Sequence, residues 1–149
     1  MGRILGLDYG RKRIGIAISD PLGITAQPLE TLEEGDDRKA IERVACLVQC
    51  HQVGTIVIGC PLTLRGEKGH SVKMVERFIQ QMEKRLSVPI VKWDERLSSA
   101  EAERYLKTMK IKPSRQKGKI DQIASVLILQ NYMDFQKGSL LADPGRIIE

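Results

Sequence analysis

Aromatic side chains are scarce: Phe, Tyr and Trp make up 4% of the 149 residues and stand singly, which leaves no platform for stacking successive single-stranded bases. Cysteine is nearly absent too. Cys46, Cys50 and Cys60 form an odd set without paired spacing, which argues against a disulfide framework. Cys46 and Cys50 share one helix face beside His51, but the helical apolar pattern around them predicts buried thiols rather than zinc ligands. No stretch approaches the roughly 18 to 20 apolar residues of a membrane span. The chain enters a strand within three residues of Met1 and leaves no room for a signal peptide, so a cytoplasmic protein without membrane contact is expected. Neither a dinucleotide fingerprint nor a G-x-x-x-x-G-K-[ST] loop occurs. Ser98 and Ser99 have no histidine nearby, and His51 and His70 sit in polar surroundings, so a nucleophilic triad has no support.

What the chain has instead is positive charge in one place. The formal net charge is +5, a mild excess. Its distribution says more, because Lys107, Lys110, Lys112, Arg115, Lys117 and Lys119 follow one another with no acid between them. Such a run suits a phosphate backbone. Pro113 and Gly118 are expected to keep the run out of the helices on either side, making it a mobile clamp whose repulsion an anionic ligand relieves.

The apolar pattern alternates between two periods. Ile4–Leu7, Arg13–Ser19 and Ile24–Leu32 read as three strands, each antiparallel to the next. Asp36 or Asp37 caps a helix carrying Ile41, Val44, Ala45 and Val48 on one face. Residues 54–59 (GTIVIG) form a strand of the kind buried on both faces, and Pro61 ends it. A second helix presents Val72, Val75, Ile79, Met82 and Leu86, and a strand from Val88 to Trp93 follows it. Ser98 and Glu101 match a capping box that opens a third helix to about Met109, and the last helix begins near Gly118. The order βββαβαβαα, without repeat or linker, predicts one α/β domain over residues 1–149: a five-stranded mixed sheet, three strands antiparallel and then parallel crossovers, flanked by helices.

Three acids fall at element ends of this plan. Asp8 closes the first strand, Asp94 and Glu95 close the last, and Asp121 lies in the first turn of the most hydrophobic helix, Ile120 to Phe135. Each has an ordinary explanation: a turn residue before glycine, a surface charge beside Arg96, a complement to a helix dipole. An ionised carboxylate against a sheet core costs roughly several kcal/mol unless it is compensated, however, and three such groups on packed elements suggest a shared metal site. Phosphodiester hydrolysis needs that arrangement, with carboxylates from separate elements around one or two hard divalent ions, Mg2+ or Mn2+. Arg11, Lys12, Arg13 and Arg96 near the acids, and Lys112, Arg115, Lys117 and Lys119 in the basic run, are the candidates to hold nucleic acid.

Four blocks carry a resemblance: Gly6-Leu-Asp-Tyr-Gly-Arg-Lys-Arg-Ile-Gly-Ile-Ala, Gly59-Cys-Pro-Leu, Asp94-Glu-Arg-Leu-Ser-Ser and Gly118-Lys-Ile-Asp-Gln-Ile-Ala. Together they resemble the YqgF, or RuvX, family of Holliday-junction-resolvase-like nucleases, in the family's order and across nearly the whole chain. The pattern departs at Cys60, where Leu is common, and at Thr63, where Asn often follows. The resemblance implies a ribonuclease H-like (RNase H-like) fold, divalent metal dependence and catalytic, metal-holding roles for Asp8, Glu95 and Asp121. It also implies a bacterial cytoplasmic setting and 5′-end maturation of pre-16S ribosomal RNA, with ribosome assembly partners. Structured RNA or branched DNA is the expected ligand. A four-way-junction resolvase and a catalytically inactive nucleic-acid- or ribosome-binding module are the alternatives. Resolution of a junction calls for a symmetric dimer, whereas end trimming is within reach of a monomer or a weak homodimer.

Overall fold

Residue parity explains the layering. Leu5 and Leu7, Ile14, Ile16 and Ile18, and Ile56 and Ile58 turn to one side of a sheet, while Ala17, Val57 and Trp93 turn to the other. Both sides are covered, which is why these strands read as continuous apolar runs. The computed structural model describes residues 2–10, 13–33, 36–60, 70–94 and 113–138. They form β1 (Arg3–Tyr9), β2 (Arg13–Ser19), β3 (Ala26–Glu33), α1 (Asp37–His51), β4 (Val53–Cys60), α2 (His70–Arg85), β5 (Ile90–Asp94) and α3 (Pro113–Gly138). The sheet order is β3-β2-β1-β4-β5. β1 pairs antiparallel with β2 and β2 with β3, whereas β1 with β4 and β4 with β5 are parallel. This is the mixed sheet the sequence predicts. The third helix expected over residues 98–109 lies outside the described residues.

α1 and α2 cover one face with Ile41, Val44, Leu47, Val75, Phe78, Ile79 and Met82. Asp36 caps α1 by accepting from the backbone N–H groups of Arg38 and Lys39. Two bidentate ion pairs tie the layer together from outside: Arg43 grips Glu30 of β3 at 2.7 and 2.9 Å, and Arg85 of α2 grips Glu42 of α1 at 2.8 and 3.2 Å. The Arg43 hydrogen bonds hold the Glu30 carboxyl below the usual carboxylate range. Among the described residues, α3 covers the other face, with Ile128, Leu129, Tyr132 and Met133.

Three expectations are corrected here. β3 starts at Ala26 rather than Ile24, because the N–H groups of Ile24 and Thr25 donate to the Asp20 carboxylate at 2.6 and 2.9 Å in the β2–β3 turn, where Gly23 takes φ +71°. Cys46 and Cys50 are exposed, and among the three cysteines only Cys60 is buried. The helical period placed Ile41, Val44 and Ala45 inward correctly, but the inward stripe is too narrow to include both cysteines. Finally, α3 begins at Pro113, not near Gly118. Proline suits a first helical turn because the N–H it lacks has no partner there in any case, and Gly118 in the helix costs only about 1 kcal/mol relative to Ala. The stretch from Pro113 to Lys119 is therefore helix, not a mobile connection.

At the end of β1 the Tyr9 ring lies 4.6 Å from that of Phe78, and its hydroxyl donates to Asp37 Oδ1 at 2.9 Å. Burial, then the hydrogen bond and charge of Asp37, push the Tyr9 hydroxyl from 10.0 up to about 12. A raised folded-state value means that this stabilisation is complete below the unfolded value of 10.0 and is lost as pH climbs toward about 12. Chemical denaturation from neutral pH to pH 12 should show wild type losing stability over that window more steeply than Tyr9→Phe, which starts about 1 kcal/mol lower at neutral pH.

Candidate active site

Because β1, β4 and β5 are parallel, their carboxyl ends share one edge of the sheet. Asp8, half-buried, is the penultimate residue of β1 and pairs with Gly15 of β2. Asp94 ends β5 opposite Cys60. Between β1 and β2, Gly10 N–H donates to Arg13 O at 2.8 Å. A Cβ on Gly10 would stand 2.8 Å from that same oxygen, so this position requires glycine.

The face on which Asp8 lies follows from Gly6. A Cβ on Gly6 would lie 2.8 Å from Leu129 Cβ and 3.1 Å from Ser125 O, so Gly6 faces α3, and Asp8, two residues on, shares its parity. The direction of α3 follows from Gln130. Its Oε1 accepts from Ala26 N–H at 2.9 Å and its Nε2 donates to Ile24 O at 3.0 Å. Ala26 pairs with Ser19, whose Oγ accepts from Ile4 N–H at 2.8 Å, so this anchor sits at the edge away from Asp8. α3 thus runs obliquely from the Asp8 edge toward the start of β1, and its later residues reach β5, where Trp93 meets Tyr132 edge-on at 5.5 Å and Phe135 at 6.0 Å.

Equal steps lead from the Gly6 contact toward the edge. Two strand residues carry β1 about 6.6–6.8 Å to Asp8. One helical turn, four residues at about 1.5 Å each, carries the α3 backbone about 6 Å from Ser125 back to position 121. The helix bearing Asp121 therefore packs on the face to which Asp8 belongs. Asp121 is eight residues past Pro113, more than two turns inside α3 and not in its first turn. A helix dipole acts on charges in the terminal turn, so it does not account for this acid.

Glu95 lies outside the described residues, as do the side chains of Asp94 and Asp121. So do Arg11, Lys12, Arg96, Lys107, Lys110 and Lys112. Arg115, Lys117 and Lys119 belong to the first two turns of α3, their side chains likewise undescribed. Arg13 is visible and engaged: its Nε is 3.5 Å from Glu33 Oε1, a pair with Glu33 72% exposed. An exposed pair contributes about 0–1 kcal/mol, little enough for a phosphate to displace it. Among the described residues no three His, Cys, Asp or Glu side chains assemble into a metal-holding group.

Sequence reasoning missed Gln130 and Ser125. Ser125 of α3 is fully buried, and Gln130 fastens that helix to β3. The available signal was a polar residue within an apolar helix, which asks for a partner. Gln130→Ala should lower stability by about 1 kcal/mol in urea denaturation, with faster amide exchange at Ala26 as the site-specific readout.

Known proteins place these observations. The family model described as "RuvX: Holliday junction resolvase" matches residues 2–135. A protein of Syntrophus aciditrophicus named "Putative pre-16S rRNA nuclease" is 45% identical over 132 residues, covering 89% of this chain and 88% of that protein. A protein of the same name from Thermoanaerobacter pseudethanolicus is 43% identical over 136 residues, covering 91% and 98%. Among solved structures, Thermus thermophilus RuvC in complex with a Holliday junction superposes with TM-score 0.61 at 12% identity, over 91% of this chain and 96% of that one. The yeast mitochondrial Holliday junction resolvase gives 0.55 at 14% identity, over 91% and 79%. At such identity the likeness is one of fold, and the fold is RNase H-like, as the sheet order and directions require. With the family model spanning residues 2–135 and relatives above 40% identity across nine-tenths of the chain, this protein belongs to the RuvX family.

Proposed function

We propose that the chain is a divalent-metal-dependent nuclease acting in the cytoplasm, where it trims the 5′ end of pre-16S ribosomal RNA, with Asp8, Glu95 and Asp121 as its catalytic carboxylates. The observation that carries this reading is the packing of α3 on β1. It supports convergence of Asp8 and Asp121 on one face at one edge of the sheet. The third acid, Glu95, lies outside the described residues and is taken from the resemblance, directly after the end of β5 at Asp94.

The donor set fits a hard cation: three carboxylates, all oxygen, with no sulfur or imidazole among them. Mg2+ or Mn2+ bound there would supply Lewis-acid stabilisation and an activated water for phosphodiester hydrolysis. The chain's own residues do the rest. Asp8 is held by a buried strand and Asp121 by a helix packed on it, so the acids are positioned by rigid elements before any ligand arrives. Arg11, Lys12 and Arg13, on and beside the β1–β2 turn, lie next to Asp8 in the chain and would grip phosphates on one side of it. Lys112, Arg115, Lys117 and Lys119, with Arg96 after Glu95, would grip them on the Asp121 side. Since Pro113–Lys119 is helical, Arg115, Lys117 and Lys119 would act from a helix rather than from a loop, and recognition of phosphate by such residues is independent of sequence.

Purified protein offered the 5′ end of pre-16S RNA, linear duplex and four-way junctions, with and without Mg2+ or Mn2+, tests the assignment. Metal-dependent trimming of the RNA is expected; selective cleavage of junctions would move the substrate to branched DNA, and no cleavage of any of them would leave a binding module. Asp8→Asn should lower cleavage about a hundredfold or more while the fold is retained. In metal-free buffer the same change should raise Tm, because it removes one charge from a cluster of like charges.

Changing Lys112, Arg115 and Lys117 together to Ala should reduce the slope of log affinity against log salt by about 2 to 3, at about 0.7–0.9 per lost phosphate contact. An unchanged slope in a salt series of binding measurements would assign those residues to the solvated surface.

A further inference from the structure

α3 lies close against β1 at a position where the strand has no side chain. A Cβ at Gly6 would stand 2.8 Å from Leu129 Cβ and 3.1 Å from Ser125 O. Carbon atoms settle at about 3.5–4.0 Å, so an added methyl needs roughly 1 Å of extra room. Neither neighbouring atom is the far end of a flexible side chain: one is the root of Leu129 and the other is helix backbone. Rotating a side chain brings no relief, and the helix itself has to rise.

Where it rises is decided by its other attachments, of which those seen among the described side chains lie in its later half. The later half of α3 is fastened by Gln130 to Ile24 and Ala26, and by Tyr132 and Phe135 to Trp93. Lifting a helix that is held at this end swings the opposite end outward. The opposite end carries Asp121, one turn beyond Ser125. The strand does not follow, because Leu5 and Leu7 are fully buried in the core on its other side.

We infer that Gly6 is a positioning residue for the phosphodiester reaction: by lacking a Cβ it sets the height of α3 above β1, and thereby the separation of Asp121 from Asp8. The inference rests on the proposed carboxylate site. A divalent ion makes the distance critical, since Mg2+ accepts oxygen ligands only near 2.0–2.1 Å, and a misplacement of about 1 Å in a catalytic constellation costs on the order of a hundredfold in rate. Gly6 touches no substrate. It acts through the helix.

The experiment measures Mn2+ binding to the full chain by titration calorimetry, beside Tm and cleavage. Gly6→Ala should weaken Mn2+ binding at least about tenfold and cleavage about a hundredfold while circular dichroism shows a folded chain. Ile128→Ala, in the same buried cluster but without crowding, should lower Tm and leave Mn2+ affinity within a few-fold of wild type. Leu129→Gly in the Gly6→Ala background removes the closest clash, and should recover Mn2+ affinity although a helical glycine lowers Tm further. Affinity and stability then move in opposite directions, which a merely structural role does not produce. Wild-type Mn2+ affinity in Gly6→Ala overturns the inference, as does loss of affinity in Ile128→Ala that tracks Tm. Should Gly6→Ala not fold, the double variant decides: near-wild-type Mn2+ affinity supports the inference, and a folded double variant without it overturns it. Failure of the carboxylate site itself reads out separately, as Mn2+ binding that is absent in wild type or unaffected by Asp8→Asn, and it removes both proposals.

Discussion

The contact of α3 with β1 across Gly6 is the constraint on which the rest of this molecule turns. A helix normally stands off a sheet by the thickness of two layers of side chains. Here one layer is missing at Gly6 and thin at Ala17, which pairs with it across β2. The helix settles into that gap, burying Ser125, Ile128 and Leu129 completely. In doing so it carries the turn that bears Asp121 toward the edge near which Asp8 stands, one residue before the end of β1. A carboxylate at the end of a buried strand and a second one inside a packed helix are individually unfavourable. Each asks for compensation, and under the proposed function a cation held by both would supply part of it.

The position of the site follows from strand direction. In the parallel part of the sheet, β1, β4 and β5 deliver their carboxyl ends to one edge, where connections leave the sheet and backbone pairing stops. That edge is the usual home of ligands in sheets of this kind. The antiparallel half, β2 and β3, contributes rigidity and the short turn with Arg11 and Lys12. Its outer strand β3 tolerates Pro28, next to a register shift between Ile16 and Ala17, because one side of an edge strand has no partner to lose.

Much of this was legible in the sequence, and the parts that were not failed for specific reasons. Asp8 stood out because an acid ends a run of apolar residues, and the strand directions followed from connection lengths. Ile41, Val44 and Ala45 obeyed the helical period. Pro113 and Gly118 were misread as a boundary because composition alone marks both as helix breakers; proline at a first helical position is permissive, and the packing of the later helix outweighs one glycine. Cys46 and Cys50 were misread because a residue type's average burial says nothing about which side of a particular helix it occupies. The start of β3 shifted because the Asp20 side chain captured two N–H groups that a strand would have used. Least legible of all was the close approach at Gly6. A glycine in a strand signals a missing side chain but not what fills the space, and Leu129 is more than a hundred residues away in the chain.

The two faces of the sheet divide the work. On one side α1 and α2 share a large apolar cluster built around Phe78, Met82 and the leucines of β1, and they are strapped by the Arg43–Glu30 and Arg85–Glu42 pairs. Loss of a methylene there is felt as stability, since several neighbours from three strands and two helices surround each side chain. On the other side, among the described residues, one helix is held by a smaller cluster, one glutamine and two aromatic contacts. A small change there alters helix height and angle before it threatens the fold. Under the proposed function the placement of Asp121 would depend on this α3 layer, while β1 is anchored by Leu5, Leu7 and Tyr9, so that Asp8 is the fixed reference against which the helix is placed.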